Sequence, residues 1–120
     1  MKLGYEKGLP LTEILVLGSR ASIKFKGYLD TGASWVSVKP EAIQRLELEY
    51  LGEMPLYTAA GFLVVELYLA RVLFLGREFR TPVFPLDIPK EHDFDCLIGM
   101  SVLRHFKITF DNRNQVLEIE

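Results

Sequence analysis

Cysteine, tryptophan and histidine are nearly absent, with one Cys, one Trp and two His in 120 residues. A single cysteine, Cys96, cannot form an internal disulfide, which excludes a disulfide-held scaffold and suits a reducing compartment, cytoplasmic by default. Metal ligands are scarce for the same reason. Only EHDFDC, residues 91 to 96, gathers His92, Asp93, Asp95 and Cys96, and that spacing fits no established zinc pattern. No metal and no other cofactor is expected.

Excess charge is lacking as well. Fourteen Lys and Arg against 16 Asp and Glu leave a formal charge of −2, spread along the chain. Such a balance offers no footprint for nucleic acid or an anionic membrane. Long apolar runs are also missing: MKLGYEKGLP has no signal-peptide core. The greasiest stretch, 62 to 75, contains Glu66 and Arg71 and is too short to span a bilayer. Without repeats, low-complexity segments or long linkers, residues 1 to 120 read as one domain.

What is present is β-pattern punctuated by turns. LTEILVL (11 to 17), a turn at Gly18-Ser19 and the alternating SIKFKGYL (22 to 29) predict a hairpin, with Ile23, Phe25 and Leu29 on one face. KPEAIQRL predicts a short helix over 40 to 46, Pro40 standing early in it. Small residues at 58 to 61 punctuate the apolar stretch from 56 to 75 and predict a hairpin with its tip near 59 to 61. Gly76-Arg77 marks another hairpin, with Pro82 and Pro85 placing at least part of its second strand at a sheet edge. DCLIG predicts a buried strand to Ile98 and a break at Gly99, then a short helix from about 100 to 105. FKITF and QVLEIE predict a final hairpin turning at 111 to 114. The expected class is mostly β, a small closed barrel or sandwich with one or two short helices.

Into this pattern falls LDTGAS, residues 29 to 34. Average residue usage makes Asp-Thr-Gly-Ala-Ser roughly a one-in-several-thousand event for a chain this long. Asp-Thr-Gly is also ordinary turn chemistry, so a structural role stays open. The flanks favour chemistry, because Asp30 follows an apolar-patterned strand and precedes WVSV. A carboxylate held among apolar neighbours is costly unless hydrogen bonded. Asp30 has no acid-base partner in the chain, and a second copy in a symmetric dimer would supply one. The two carboxylates would then share a proton, one acting as base and the other as acid.

Three segments, in order, make residues 11 to 120 resemble the retroviral-type (retropepsin-like) aspartyl proteases, in particular a cellular or prokaryotic branch. LDTGAS is similar to the family's catalytic motif, which implies Asp30 as the catalytic aspartate, with Thr31, Gly32 and Ala33 supporting the active-site loop. YTAAGF, residues 57 to 62, resembles the flap hairpin over bound peptide. DCLIGMSVL resembles the hydrophobic-hydrophobic-Gly signature and its short helix. The resemblance implies a closed acid-protease barrel, a homodimer with one Asp30 from each subunit, and peptide or protein substrates. It implies substrate contacts from Ser34, Thr58, Ala59, Ala60, Gly61, Phe62, Leu97 and Ile98, and chain termini such as QVLEIE interleaved between subunits. Met100 and Ser34 depart from many viral members, which carry an arginine and an acidic residue there.

Trp35 beside the motif reads as core or dimer contact rather than substrate pocket. Cys96 reads as inert and Arg104-His105 as structural. A non-catalytic peptide-binding or assembly module that keeps the fold remains the alternative function. An actin-like phosphate loop needs two large lobes, which 120 residues do not allow.

Overall fold

The computed structural model describes residues 1–120. The alternation in SIKFKGYL becomes β3 (Ser22–Leu29), which buries Phe25 and Leu29 and turns Lys24 to solvent. It pairs antiparallel with β2 (Leu11–Leu17), from Leu11 opposite Tyr28 to Leu17 opposite Ser22. After the motif come β4 (Val36–Val38), buried along its length, and helix α1 (Pro40–Arg45). Pro40 opens that helix, with Glu41 in its first turn and Arg45 in its last, each charge on the side the helix dipole favours.

Strands β5 (Glu49–Thr58) and β6 (Gly61–Phe74) form a long hairpin, and β6 turns at 75 to 76 into β7 (Arg77–Pro85). The short β8 (Cys96–Ile98), helix α2 (Met100–Leu103), β9 (Ile108–Asp111) and β10 (Val116–Ile119) complete the pattern. One strand was not anticipated: β1 (Lys2–Gly4) pairs with β10.

The main sheet runs β4-β7-β6-β2-β3-β8, with β5 on β6. Two of its ladders are parallel, β3 with β8 and β4 with β7. The path does not close: its end strands β4 and β8 share no ladder. They lie side by side and are linked by a side-chain bond, the Leu97 N–H donating to Oγ of fully buried Ser37 at 2.8 Å. Because each end strand has three residues, one such bond occupies much of the available edge, so a barrel is approached without being hydrogen-bonded shut. Pro82 lies beyond the reach of β4, on the open side of β7, whereas Pro85 is covered by Val38.

β1, β10 and β9 make a separate sheet with β10 in the middle. Both edges of β10 are therefore taken within the chain, which leaves β1 and β9 as the open edges of this sheet. The core lies between the sheets and helices and includes Val16, Phe25, Val38, Val72, Phe74, Ile98, Val102 and Leu117. Ser37→Ala would leave the Leu97 N–H without its acceptor. We expect a loss of about 1–3 kcal/mol, seen as a melting temperature several degrees lower in a calorimetric scan.

Candidate active site

Asp30 ends β3 because two neighbouring groups stop the strand there. Its own N–H donates to Ile98 O at 2.9 Å, continuing the β3–β8 pairing by one bond. Its side chain then caps the following turn: Oδ1 accepts the Gly32 N–H at 2.9 Å, and its carbonyl accepts the Ala33 N–H at 3.1 Å. The chain is thus bent back immediately after the aspartate. Leu29 points into the core while the Asp30 side chain is only half-buried, and Thr31 and Gly32 are exposed. The apolar setting expected from the flanks belongs to the backbone neighbours, and the carboxylate faces outward.

The second wall of the loop is the turn into α2. Met100 N–H donates to Ala33 O at 2.8 Å, and Ser101 N–H to Ser34 O at 2.9 Å. Gly99 lies so close to the loop that a Cβ there would overlap Trp35 O, with Ala33 O at 2.7 Å and Trp35 N at 2.8 Å. The resemblance between the two segments in sequence is thus one contact in space: the Gly99 turn holds the loop that carries Asp30.

The third segment stands apart. Thr58 pairs with Gly61 at the tip of the β5–β6 hairpin, with Ala59 and Ala60 as its bend. Thr58 Oγ1 donates to Gly61 O at 3.0 Å and accepts the Ala60 N–H at 3.3 Å. Gly61 takes φ of +124°, a conformation that glycine alone adopts cheaply. Between 50 and 67 the hairpin has no third strand beside it. Such a two-stranded ribbon is marginal on its own and opens at low cost. Its tip is apolar on both faces, Tyr57 with Phe62 on one and Leu56 with Leu63 on the other, and Tyr57 and Phe62 are 78% and 63% exposed. A bulge between Tyr50 and Gly52, Gly52 at φ +135°, twists the ribbon near its base. An isolated glycine inside a strand pattern was the signal for it.

Other expected site residues divide. Leu97 keeps some surface, but Ile98 is fully buried and its side chain lies against Gly27, so it shapes the core rather than a pocket. Trp35 is half-buried and lines a surface concavity with Ser34, outside the main core. Cys96 is fully enclosed, and burial, with Asp95 adding to it, pushes its thiol pKa up, which keeps it protonated. In EHDFDC, Asp93 pairs with Lys7 at 3.0 Å, and Asp95 accepts the Lys26 N–H at 2.9 Å and faces Lys39 at 3.7 Å. Sequence reasoning missed Ser37, for which a hydroxyl inside the apolar WVSV was the available signal. It also passed over Arg80 beside the loop, which had none.

No family model and no curated protein matches this sequence. Solved structures do. A retropepsin-like aspartic protease from Rickettsia conorii is 25% identical, the alignment covering 100% of this chain and 97% of that one with a TM-score of 0.61. The EIAV protease, in an inhibitor complex, is 19% identical over 86% of this chain and 93% of that one, at a TM-score of 0.64. The simian foamy virus (mac) protease is 22% identical over 78% and 91%, at 0.53. Over most or all of its length, the Asp30 loop and the Gly99 turn included, this chain has the fold of these retropepsin-like proteases.

Proposed function

We propose that the chain is an aspartic endopeptidase whose active site is completed by a second copy, each subunit contributing Asp30. The observation that carries this is the presentation of one carboxylate on a rigid, exposed loop. No other acidic residue lies on that loop, and none of the five main surface concavities of the single chain is lined by Asp30. One carboxylate without a cleft is half a site, and exposed Thr31 and Gly32 are free to meet a partner's loop.

Two Asp30 carboxylates face to face repel, and one shared proton removes the repulsion. The ionised member takes a proton from a water lying between them as the water oxygen bonds to the peptide carbon. The protonated member gives its proton to the carbonyl oxygen. The resulting gem-diol collapses as the C–N bond breaks: the carboxyl that took the water proton gives it to the amine nitrogen, the other carboxylate takes a hydroxyl proton, and a carboxylic acid and an amine leave. No covalent enzyme intermediate forms. The β5–β6 ribbon is the element suited to cover the peptide, with Thr58, Ala59, Ala60 and Gly61 offering backbone and Phe62 an apolar contact.

Dilution tests the shared site. Specific activity on a peptide library should fall as the chain is diluted, in step with loss of dimer by sedimentation or light scattering. Full activity from a monomer would refute the proposal.

A further inference from the structure

Beside the Asp30 loop lies a concavity of about 360 Å³ to which Ser34, Trp35, Arg80, Ser101, Arg104 and His105 contribute, and no acidic residue lines it. The chain has seven ion pairs, and none uses Arg80 or Arg104. The nearby Arg77 is committed elsewhere, 5.1 Å over the Phe79 and Phe106 rings and donating to His105 O. Arg80 stands directly opposite Arg71 in the β6–β7 ladder, a placement that costs stability through like-charge repulsion. Glu78, 3.4 Å from Arg71, neutralises that partner, whereas Arg80 makes no ion pair and borders both this concavity and a second one that holds Glu47 and Glu49.

The hydroxyls sharpen the donor set. Buried Thr81 lies 3.0 Å from Pro82 O and shares a 2.7 Å hydrogen bond with the Ser101 hydroxyl. Ser101 is thereby engaged with Thr81, and His105 is stacked on Phe79 at 4.9 Å, so the two guanidiniums and the exposed Ser34 hydroxyl are the groups left to face a ligand. Trp35 adds an apolar wall. The groups that remain are those that hold a carboxylate at the end of a short aliphatic stem.

Position connects this concavity to the proposed chemistry. Ser34 is four residues past Asp30, a chain distance of at most about 14 Å, which an extended peptide crosses in about four residues. Resting on the protease reading, we infer that the concavity receives an aspartyl or glutamyl side chain of the bound peptide, within about four residues of the bond that is cut. The site thereby gives the enzyme a preference for acidic sequence on one flank.

Trp35, the only tryptophan of the chain, reports occupancy without turnover. The full-length Asp30→Asn form is titrated with two degenerate decapeptide pools that differ only in a fixed central Glu or Gln, and Trp35 emission is followed. The Glu pool should bind about tenfold tighter, with the advantage shrinking as salt is raised. Arg80→Gln with Arg104→Gln should bring the two pools together, and Arg104→Glu should reverse the preference toward a Lys pool. That reversal needs a folded protein to be seen at all. Equal midpoints for Glu and Gln, or a Glu advantage that survives the double substitution, would overturn the inference. A digest of the same pools by the unmodified chain separates the two ideas. Glu-selective binding without cleavage removes the protease reading and keeps the anion site, and cleavage with equal midpoints does the reverse.

Discussion

Asp30→Asn should abolish peptide cleavage, lowering kcat/KM by roughly 10³-fold or more, because in the proposed dimer one substitution removes both the acid and the base. The same change should scarcely affect folding. Asp30 is half-buried, and its one side-chain bond within the chain, from the Gly32 N–H at 2.9 Å, can be kept by the asparagine oxygen. We expect stability within about 0.5 kcal/mol of the parent. Self-association should hold or tighten, because two neutral amides at the two-fold axis replace a pair that must otherwise share one proton. Initial rates by mass spectrometry, with melting and light scattering on the same samples, separate these quantities. Cleavage that survives the substitution would rule out the mechanism.

The alternative function, a peptide-binding module without turnover, predicts a different pattern from the same variant. Binding would persist at parental strength, and the unmodified chain would release no fragments at any concentration. The features of the ribbon, exposed Phe62 and Tyr57 and a glycine-dependent tip, serve a binding module and a protease equally well. Asp30 is the residue that distinguishes them, since binding alone does not require a carboxylate at that point.

Local pattern carried most of the fold. The hairpin into Asp30, the Pro40 helix, the tip at 59 to 60 and the final turn were each marked by alternation or by turn residues. What the pattern could not carry was pairing between distant segments. β8 and β4 are three residues each, too short for periodicity, and their parallel ladders are fixed by tertiary packing. The same limit hid β1, whose partner lies at the other end of the chain. Burial was partly misread for a related reason. Ile98 and Leu97 are adjacent in sequence, but alternation in a strand sends one to the core and leaves the other with surface, and only the packing against Gly27 decides which. Of the two places its size suggested for Trp35, core or dimer contact, the main core is not where it lies: the loop that Gly99 holds leaves it half-buried beside a polar concavity.

Gly99→Ala should be the most damaging single-methyl change in the chain. The added Cβ would meet backbone atoms, Trp35 O and N and Ala33 O, and not the end of a flexible side chain. Backbone in this region is fixed from both sides, by Met100 N–H on Ala33 O at 2.8 Å and by Asp30 N–H on Ile98 O at 2.9 Å. Relief therefore requires parting the Asp30 loop from α2 and losing those bonds. Gly99 has an ordinary extended φ of −96°, so the cost comes from space and not from conformation. Overpacking of this kind costs about 3 kcal/mol, which lowers the melting temperature by about 10 °C. Catalysis should suffer further at temperatures where the variant remains folded, because a displaced loop misplaces Asp30 relative to its copy, and an error of 1 Å in a reacting group costs about 10²-fold in rate. Calorimetry and peptide hydrolysis below the lowered transition measure the two losses separately. A variant with parental melting and parental kcat would show that the Gly99 turn does not hold the Asp30 loop.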